Sequence, residues 1–393
     1  MKILFVSLLV CAVATSCSDN QAANASGSVQ RNAGEGDDTV EVIPHTAAFF
    51  YKRYEGTIAG QAVVMYLEKD DTNFNGYYYY SKIGKPITLA GTAGSNKDSL
   101  VLQEYQPGSS YTDAEVPELR CAFSGQEIAG EWVSKQKKYP IVLKEKYSEG
   151  SYSFKMKKFR DTAMLINDRK APFATSSCKI PFATGGGEDA KWLNDQIKKS
   201  LGRPGTSAAT AEAVAQELAD SFFASYRRDN AEEINDLKNS EEGYPYRLNY
   251  DETMNYIVRY NENALVTIEG TVYSYTGGAH GNYGSLYKNY DVANRKELQL
   301  SDVISTDSAT LQKIVEQQFR IDYKLPAPKP LTEILFDPHL ATTDNFYLSE
   351  KGLGFVYNPY EVAPYVVGQV EVFVPYTVLS AYLTPEFRKR IKF

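Results

Sequence analysis

The sequence predicts an α+β protein: a small antiparallel β-barrel or sandwich, then an α+β region with an antiparallel sheet and a few helices on one face. Three observations predict it. Residues 47–148 break into eight short strand-like runs separated by Gly, Asn, Asp or Pro. Residues 188–229 carry two stretches of helical apolar spacing, and strand-like runs return from about 246. The 393 residues also include 30 Tyr and 18 Phe, which favour pleated, half-buried surfaces. A hydrophobic share of 43 % with 23 % charged residues excludes wholesale disorder or a fibre.

Residues 1–16, MKILFVSLLVCAVATS, place one Lys before an apolar run and end in small residues. That pattern predicts a secretory leader, too short to span a bilayer stably. Ala14-Thr15-Ser16-Cys17 resembles a bacterial lipobox, in which the Cys is diacylated and becomes the mature N-terminus. Cys17 is therefore the expected lipid anchor, and its acyl chains would give lasting membrane attachment. Residues 17–46 are rich in Ser, Asn, Gly, Ala and acids, with nothing to bury, and read as a flexible tether. The expected location is the bacterial envelope, on the outer membrane, facing the periplasm or the exterior.

In residues 47–148, turn chemistry stands at Ala59-Gly60, Asn75-Gly76, Ser124-Gly125 and Ala129-Gly130. Closing the eight runs on one another would remove their exposed edges. Phe50, Met65, Leu67, Leu102, Phe123 and Trp132 are available to fill such a barrel, which favours a packed interior over a hollow one. The run Tyr77-Tyr78-Tyr79-Tyr80 puts two rings on each face of its strand. Residues 149–250 begin with strands, cross the breaker Gly185-Gly186-Gly187, and continue as two helices, 188–200 and about 207–229. Residues 251–393 return to strands, with a helix at about 308–323 capped by Asp307 or Ser308, three late strands, and a short basic helix begun by Thr384-Pro385.

The stretch 273–300, YSYTGGAHGNYGSLYKNYDVANRKELQL, resembles the ectodomain family of the anti-sigma factor RsiV. So do Asn345-Phe346-Tyr347-Leu348, Gly354-Phe355, residues 358–365 (NPYEVAPY) and Gly368. Residues of about 150–250 resemble the PdaC-type domain that often precedes it. The resemblance implies an extracytoplasmic domain that binds lysozyme. The anti-sigma segment with its membrane helix, and the metal-dependent deacetylase domain found beside PdaC-type domains, have no counterpart here, so only the binding role carries over. The partner is then a lysozyme-like protein or peptidoglycan.

Chemistry outside that resemblance is sparse. Three His and four Cys leave little for zinc, haem or iron–sulfur sites, and His45, His280 and His339 show no ligand spacing, so no metal or cofactor is expected. No Gly-x-Ser-x-Gly elbow occurs, and the Ser-x-x-Lys matches at Ser134, Ser176 and Ser285 have no Lys-Thr-Gly companion, so no catalytic residue is assigned. A net charge of −7 argues against a nucleic-acid partner. Cys121 and Cys178 remain as a possible disulfide in an exported chain or as two buried thiols.

The expected ligand-binding residues are Tyr275, Thr276, Gly277, Gly278, His280 and Asn282, with Tyr360 and Tyr365 from the second motif. Glycines there permit close approach of a ligand, and tyrosines are large, rigid and amphipathic. The competing structural reading is a strand-joining loop whose His is bonded to backbone. The expected function is a lipid-anchored envelope binding protein without catalysis. Its rivals are a hydrolase acting on cell-wall polysaccharide, marked by two carboxylates across a cleft, and a purely architectural envelope protein.

Overall fold

The computed structural model of the protein describes residues 47–94, 98–106, 116–168, 170–185, 187–201, 210–237 and 245–393. Cys17 and the segments expected to be a leader and a tether, residues 1–46, lie outside them. Eight strands open the described chain: β1 (Phe49–Ile58), β2 (Gln61–Asp70), β3 (Asn73–Tyr80), β4 (Ile87–Ala93), β5 (Ser99–Tyr105), β6 (Glu118–Phe123), β7 (Glu127–Ser134) and β8 (Lys137–Glu145). Each pairs antiparallel with the next, and β8 returns to β1 with Tyr54 opposite Glu145 and Ile58 opposite Ile141. The barrel is closed.

Its interior is filled by the period-2 faces of the strands. Phe50, Met65, Leu67, Leu102 and Phe123 are buried there, with Trp132 packed against them. The Phe50 and Phe123 rings stack at 5.8 Å, and Phe74 meets Phe123 edge-on at 5.7 Å. Two expected turns are corrected. Asn75-Gly76 and Ala129-Gly130 lie within β3 and β7, where a Cβ on Gly76 or Gly130 would stand 2.0 or 2.2 Å from a carbonyl oxygen of the neighbouring strand. These glycines let strands approach in a tightly coiled wall instead of reversing the chain. Ala59-Gly60 and Ser124-Gly125 do reverse it, with positive φ at Ala59, Gly60 and Gly125.

The barrel is not a separate bead. β1 holds β8 with its second half, while Tyr51 in its first half pairs with Phe154 of β9 (Phe154–Met164). From there the sheet runs on through β10 (Phe173–Ala183), β11 (Tyr250–Glu262), β12 (Leu265–Tyr275), β13 (Asn282–Asp291) and β14 (Lys296–Leu298) as one fourteen-stranded sheet. All its pairs are antiparallel except β10 with β11, which are joined through the helices. β1 to β3 are therefore buried on both faces. Phe50, Met65 and Tyr78 point into the barrel, whereas Tyr51, Tyr66 and Tyr79 point outward into a second core. The Tyr77 to Tyr80 run divides as its alternation requires.

That second core takes Leu193 and Ile197 of α1 (Glu188–Leu201) and Val214 of α2 (Ala211–Asp229). Thr210 caps α2, accepting from the Ala213 amide. A short α3 (Ala231–Leu237) follows. A third core gathers Val303 of α4 (Leu300–Val303), Phe319 of α5 (Ser308–Asp322) and a three-stranded sheet of β15 (Phe346–Leu348), β16 (Gly352–Tyr357) and β17 (Val370–Pro375). Asp307 caps α5. α6 (Tyr376–Leu379) and α7 (Pro385–Arg390) complete the chain, with Thr384 capping α7.

Cys121 lies in the barrel core and Cys178 in the second core, both as free thiols. Of the two readings open for them, buried thiols stands and the disulfide does not. Burial pushes both thiols up to about 12.

Arg259 of β11 ties the parts together. Its guanidinium lies between the rings of Tyr77 in β3 and Tyr347 in β15, 3.7 and 4.4 Å from their centroids. It pairs with Glu371 at 3.1 Å and more loosely with Glu269 at 3.5 Å. Each tyrosine hydroxyl donates to one of these carboxylates, Tyr77 to Glu269 at 2.7 Å and Tyr347 to Glu371 at 2.6 Å. The two carboxylates, two ring faces and two hydroxyls all engage one another or the guanidinium, while the buried Arg259 Nε has no hydrogen-bond partner among the described residues.

Candidate functional site

β12 and β13 form a hairpin whose connecting residues are the Thr-Gly-Gly-Ala-His-Gly sequence. Gly277 and Gly278 both take positive φ, 86° and 94°, a conformation that L side chains resist. The loop is closed on itself by Tyr275, whose hydroxyl donates to the Gly278 carbonyl at 3.1 Å. His280 follows at the tip with its ring exposed, and Nδ1 lies 2.7 Å from the Gly281 carbonyl.

The second motif arrives from far along the chain. Asn358-Pro359-Tyr360-Glu361 is a β-turn closed by the Glu361 amide donating to the Asn358 carbonyl at 3.0 Å. Proline at its second position and φ of 66° at Tyr360 make it a type II turn. That third position normally takes glycine; here it holds a tyrosine that is 51 % exposed. A bulky side chain held in the left-handed region stores roughly 1–2 kcal/mol, and such strain gathers at functional sites.

The two motifs meet face to face. The His280 ring stacks on Tyr365 with centroids 4.3 Å apart and 24° between planes, and Tyr360 stacks on Tyr365 at 5.4 Å and 29°. Tyr283 meets Tyr365 edge-on at 6.3 Å. The Tyr365 hydroxyl donates to the Gly281 carbonyl at 3.1 Å, and the Tyr360 hydroxyl stands 3.5 Å from His280 Nε2. The result is a ledge of nearly parallel rings. His280 and Tyr360 are exposed, Tyr365, against which both pack, is half-buried, and Val366 beside them is 91 % exposed. The structure thus brings Tyr275, Gly277, Gly278, His280, Tyr360 and Tyr365 into one neighbourhood. Thr276 stands exposed on the loop and Asn282 stands exposed as the first residue of β13. The backbone-bonded histidine of the competing reading is present as well, through Nδ1 at the edge of the ring.

Residues that set this geometry escaped the sequence reading. β13 pairs with β14 only at residues 289–291, which leaves the edge of 282–288 open. Two asparagine side chains occupy it. Asn345 Oδ1 accepts from the Tyr287 amide at 3.0 Å while its Nδ2 donates to the Ser285 carbonyl at 2.9 Å, and Asn358 Oδ1 accepts from the Ser285 amide at 2.7 Å. They act as a substitute strand and fix the second motif against the first. Both lie in the motif segments, and the Asn-Pro turn signal at 358 was the available clue.

A second concavity lies at the junction of barrel and sheet, about 800 Å³ in volume and lined by Arg53, Glu55, Val64, Lys144, Glu262 and Glu350 among others. Glu262 is saturated there: Arg53, Tyr66 and Ser148 all donate to it within 2.8 Å. Burial raises the Glu350 carboxyl above its ordinary range, with Lys351 opposing the shift. Among the described residues no group of three or more His, Cys, Asp or Glu could hold a metal ion.

Fold and site together describe a barrel joined to an α+β unit that displays an aromatic ledge. Residues 168–283 match the family described as Deacetylase PdaC, and residues 301–377 match the family described as Protein of unknown function (DUF3298). The hairpin loop falls in the first match and the 360–365 segment in the second, so the ledge is built where the two regions meet. A crystal structure of a DUF3298 family member from Bacteroides fragilis NCTC 9343 is similar, with 25 % identity, a TM-score of 0.55, and coverage of 62 % of this chain and 98 % of that one. A DUF3298 family protein from Pseudomonas aeruginosa PAO1 is similar at 19 % identity and a TM-score of 0.40, covering 59 % of this chain and 95 % of that one. Among curated proteins, none matches the chain.

Proposed function

We propose that this chain is a cell-envelope protein, lipid-anchored to the outer membrane through Cys17, that binds a lysozyme-like protein through the His280–Tyr365–Tyr360 ledge without catalysing a reaction. The observation that carries the reading is the exposed ring stack with Tyr360 held at a turn position that favours glycine. Local strain and exposed aromatic area both work against a role in folding alone.

The chemistry of the ledge suits a protein partner. Rigid Tyr rings supply contact area at low entropy, and the Gly, Thr and Asn residues of the loop add adaptable hydrogen bonding. An exposed valine at the rim adds apolar area suited to a protein more than to a sugar. The net charge of −7 would steer a basic protein such as lysozyme toward the chain. Similarity to the DUF3298 and PdaC families, and the resemblance of both motifs to the RsiV ectodomain, support the same role. Among the described residues no helix is long and apolar enough to cross a membrane, and the proposed attachment rests on the sequence around Cys17.

Calorimetric titration of the full chain with lysozyme, and separately with soluble peptidoglycan fragments, tests the reading. Heat with lysozyme is expected. Binding to glycan alone would move the ledge to the cell-wall reading, turnover of the fragments would favour the hydrolase, and silence with both would leave the architectural role.

A further inference from the structure

His280 and Tyr360 share one face of Tyr365. Each stacks on it, at 4.3 and 5.4 Å, and the Tyr360 hydroxyl stands 3.5 Å from His280 Nε2, closer than rings on opposite faces of Tyr365 can come. Their outer faces therefore turn the same way, and both residues are exposed, which makes a tile two rings wide. The hydrogens around the tile are spent within it. His280 Nδ1 lies 2.7 Å from the Gly281 carbonyl, which only accepts, so in the neutral ring Nδ1 carries the proton. Tyr275 and Tyr365 donate to the Gly278 and Gly281 carbonyls and keep only oxygen lone pairs. Thr276 and Asn282 are the side-chain donors left on the hairpin.

The charge beside the tile is negative. Residues 273–283 and 358–368 hold no Lys or Arg, and their one carboxylate is the exposed Glu361, which follows Tyr360 and accepts from the Asn358 amide at 2.8 Å. Asp251 of β11 lies opposite Tyr275 and accepts from the Thr253 hydroxyl at 3.3 Å. Among the described residues neither carboxylate is paired with a cation. The cations on neighbouring elements are already held. The Arg247 carbonyl comes close to Gly277, and its guanidinium is gripped by Glu233 at 2.8 and 3.0 Å. The segment that brings the Phe336 amide to the Val362 carbonyl pairs Lys329 with Glu333 at 2.7 Å and His339 with Glu316 at 3.3 Å, and adds an exposed Asp337.

We infer that the ledge takes an arginine side chain of its partner, the guanidinium lying flat on the outer faces of His280 and Tyr360 and donating from its edge to the Glu361 carboxylate. The inference rests on the ledge being a protein-binding site and names the group it receives. Ring faces carry the negative part of the aromatic quadrupole and attract a cation placed over them. A guanidinium is planar and weakly hydrated, so it can stack and donate sideways at once, which an ammonium group cannot. Asp251 and Asp337 add negative potential without an opposing free cation on the named elements.

N-acetyl-arginine amide is the probe, titrated into the full chain while the His280 ring signal is followed by NMR, beside its neutral isostere N-acetyl-citrulline amide. The chain has three His, and the His280→Ala spectrum assigns the signal. A saturable shift with its midpoint at about 10 mM is expected from the arginine amide and none from the citrulline amide. Glu361→Gln keeps an acceptor for the Asn358 amide and should weaken the response about threefold, whereas Glu131→Gln on the barrel, the same change in charge, should leave it alone. No shift at about 50 mM, an equal shift with citrulline, or a Glu361→Gln response like wild type overturns the inference. Lysozyme with its arginines capped by phenylglyoxal should bind about tenfold more weakly than lysozyme with dimethylated lysines, and equal binding of the two overturns it as well. A response to the arginine amide without lysozyme binding upholds the inference and removes lysozyme as the partner. Lysozyme binding without that response overturns the inference and leaves the ledge as a protein-binding site.

Discussion

The ring of His280 lies flat on that of Tyr365, 4.3 Å away, while the Tyr365 hydroxyl reaches past it to the Gly281 carbonyl. One side chain therefore supports the histidine from below and pins the loop that carries it. Tyr360 continues the stack on Tyr365 and reaches His280 with its hydroxyl. Neither hairpin nor turn would hold this ledge alone.

Tyr360 occupies a turn position that favours glycine, so Tyr360→Gly separates stability from binding. Relief of left-handed strain offsets the lost ring contact, and the urea midpoint should stay within about 1 kcal/mol of wild type, on either side. Affinity for lysozyme should fall about tenfold or more. A fold weakened by several kcal/mol would show that the ring is structural.

Asn345 and Asn358 stand in for a missing strand along β13. Asn358→Ala should cost about 1–2 kcal/mol, since it leaves the Ser285 amide without its acceptor. Hydrogen–deuterium exchange read by mass spectrometry should rise in residues 282–288 and not in the barrel strands. Unchanged exchange there would contradict the edge-clamp role.

Arg259 is wrapped by two rings and two carboxylates. Arg259→Ala should destabilise by about 3–5 kcal/mol, because Glu269 and Glu371 are left buried without their cation. Chemical denaturation measures it, and a loss near zero would refute the role of this cluster in joining barrel and sheet.

Glu104 points into the barrel, where burial raises its carboxyl and the hydrogen bonds donated by Tyr78 and Trp132 oppose that rise. A carboxyl raised in the folded state favours folding when protonated, and that contribution is lost as pH rises through its folded value. Glu104→Gln keeps an acceptor for both donors and carries no charge. The variant should match or exceed wild-type stability at pH 7, and the two should converge as pH falls toward the ordinary carboxylate range. Thermal melts across that interval decide, and a variant less stable at pH 7 would contradict the account.

Much of the fold was legible because the barrel strands obey period-2 alternation and the helices carry ordinary caps: Asp307, Thr384 and the apolar faces of α1 and α2 fall where their residues indicate. Gly76 and Gly130 misled because a glycine required by close strand approach looks the same, in sequence, as one required by a turn. The fusion of barrel and α+β unit was hidden as well. Tyr51 and Tyr66 alternate with the barrel-filling Phe50 and Met65, and nothing local says that another core covers them. For the site, the glycine-rich loop and the Asn-Pro turn could be seen, but not the stacking of His280 on Tyr365, which depends on a contact 85 residues away in sequence. The junction cleft left no sequence signal, since it arises where β1 divides its pairing between β8 and β9.

Calorimetric titration of the full chain with lysozyme, run on wild type, His280→Ala and Tyr360→Gly, tests the central claim most directly. Saturable binding to wild type is expected, weakened about tenfold in each variant while their urea midpoints hold. Absence of heat with lysozyme at high micromolar concentration, or variants that bind as tightly as wild type, would contradict it.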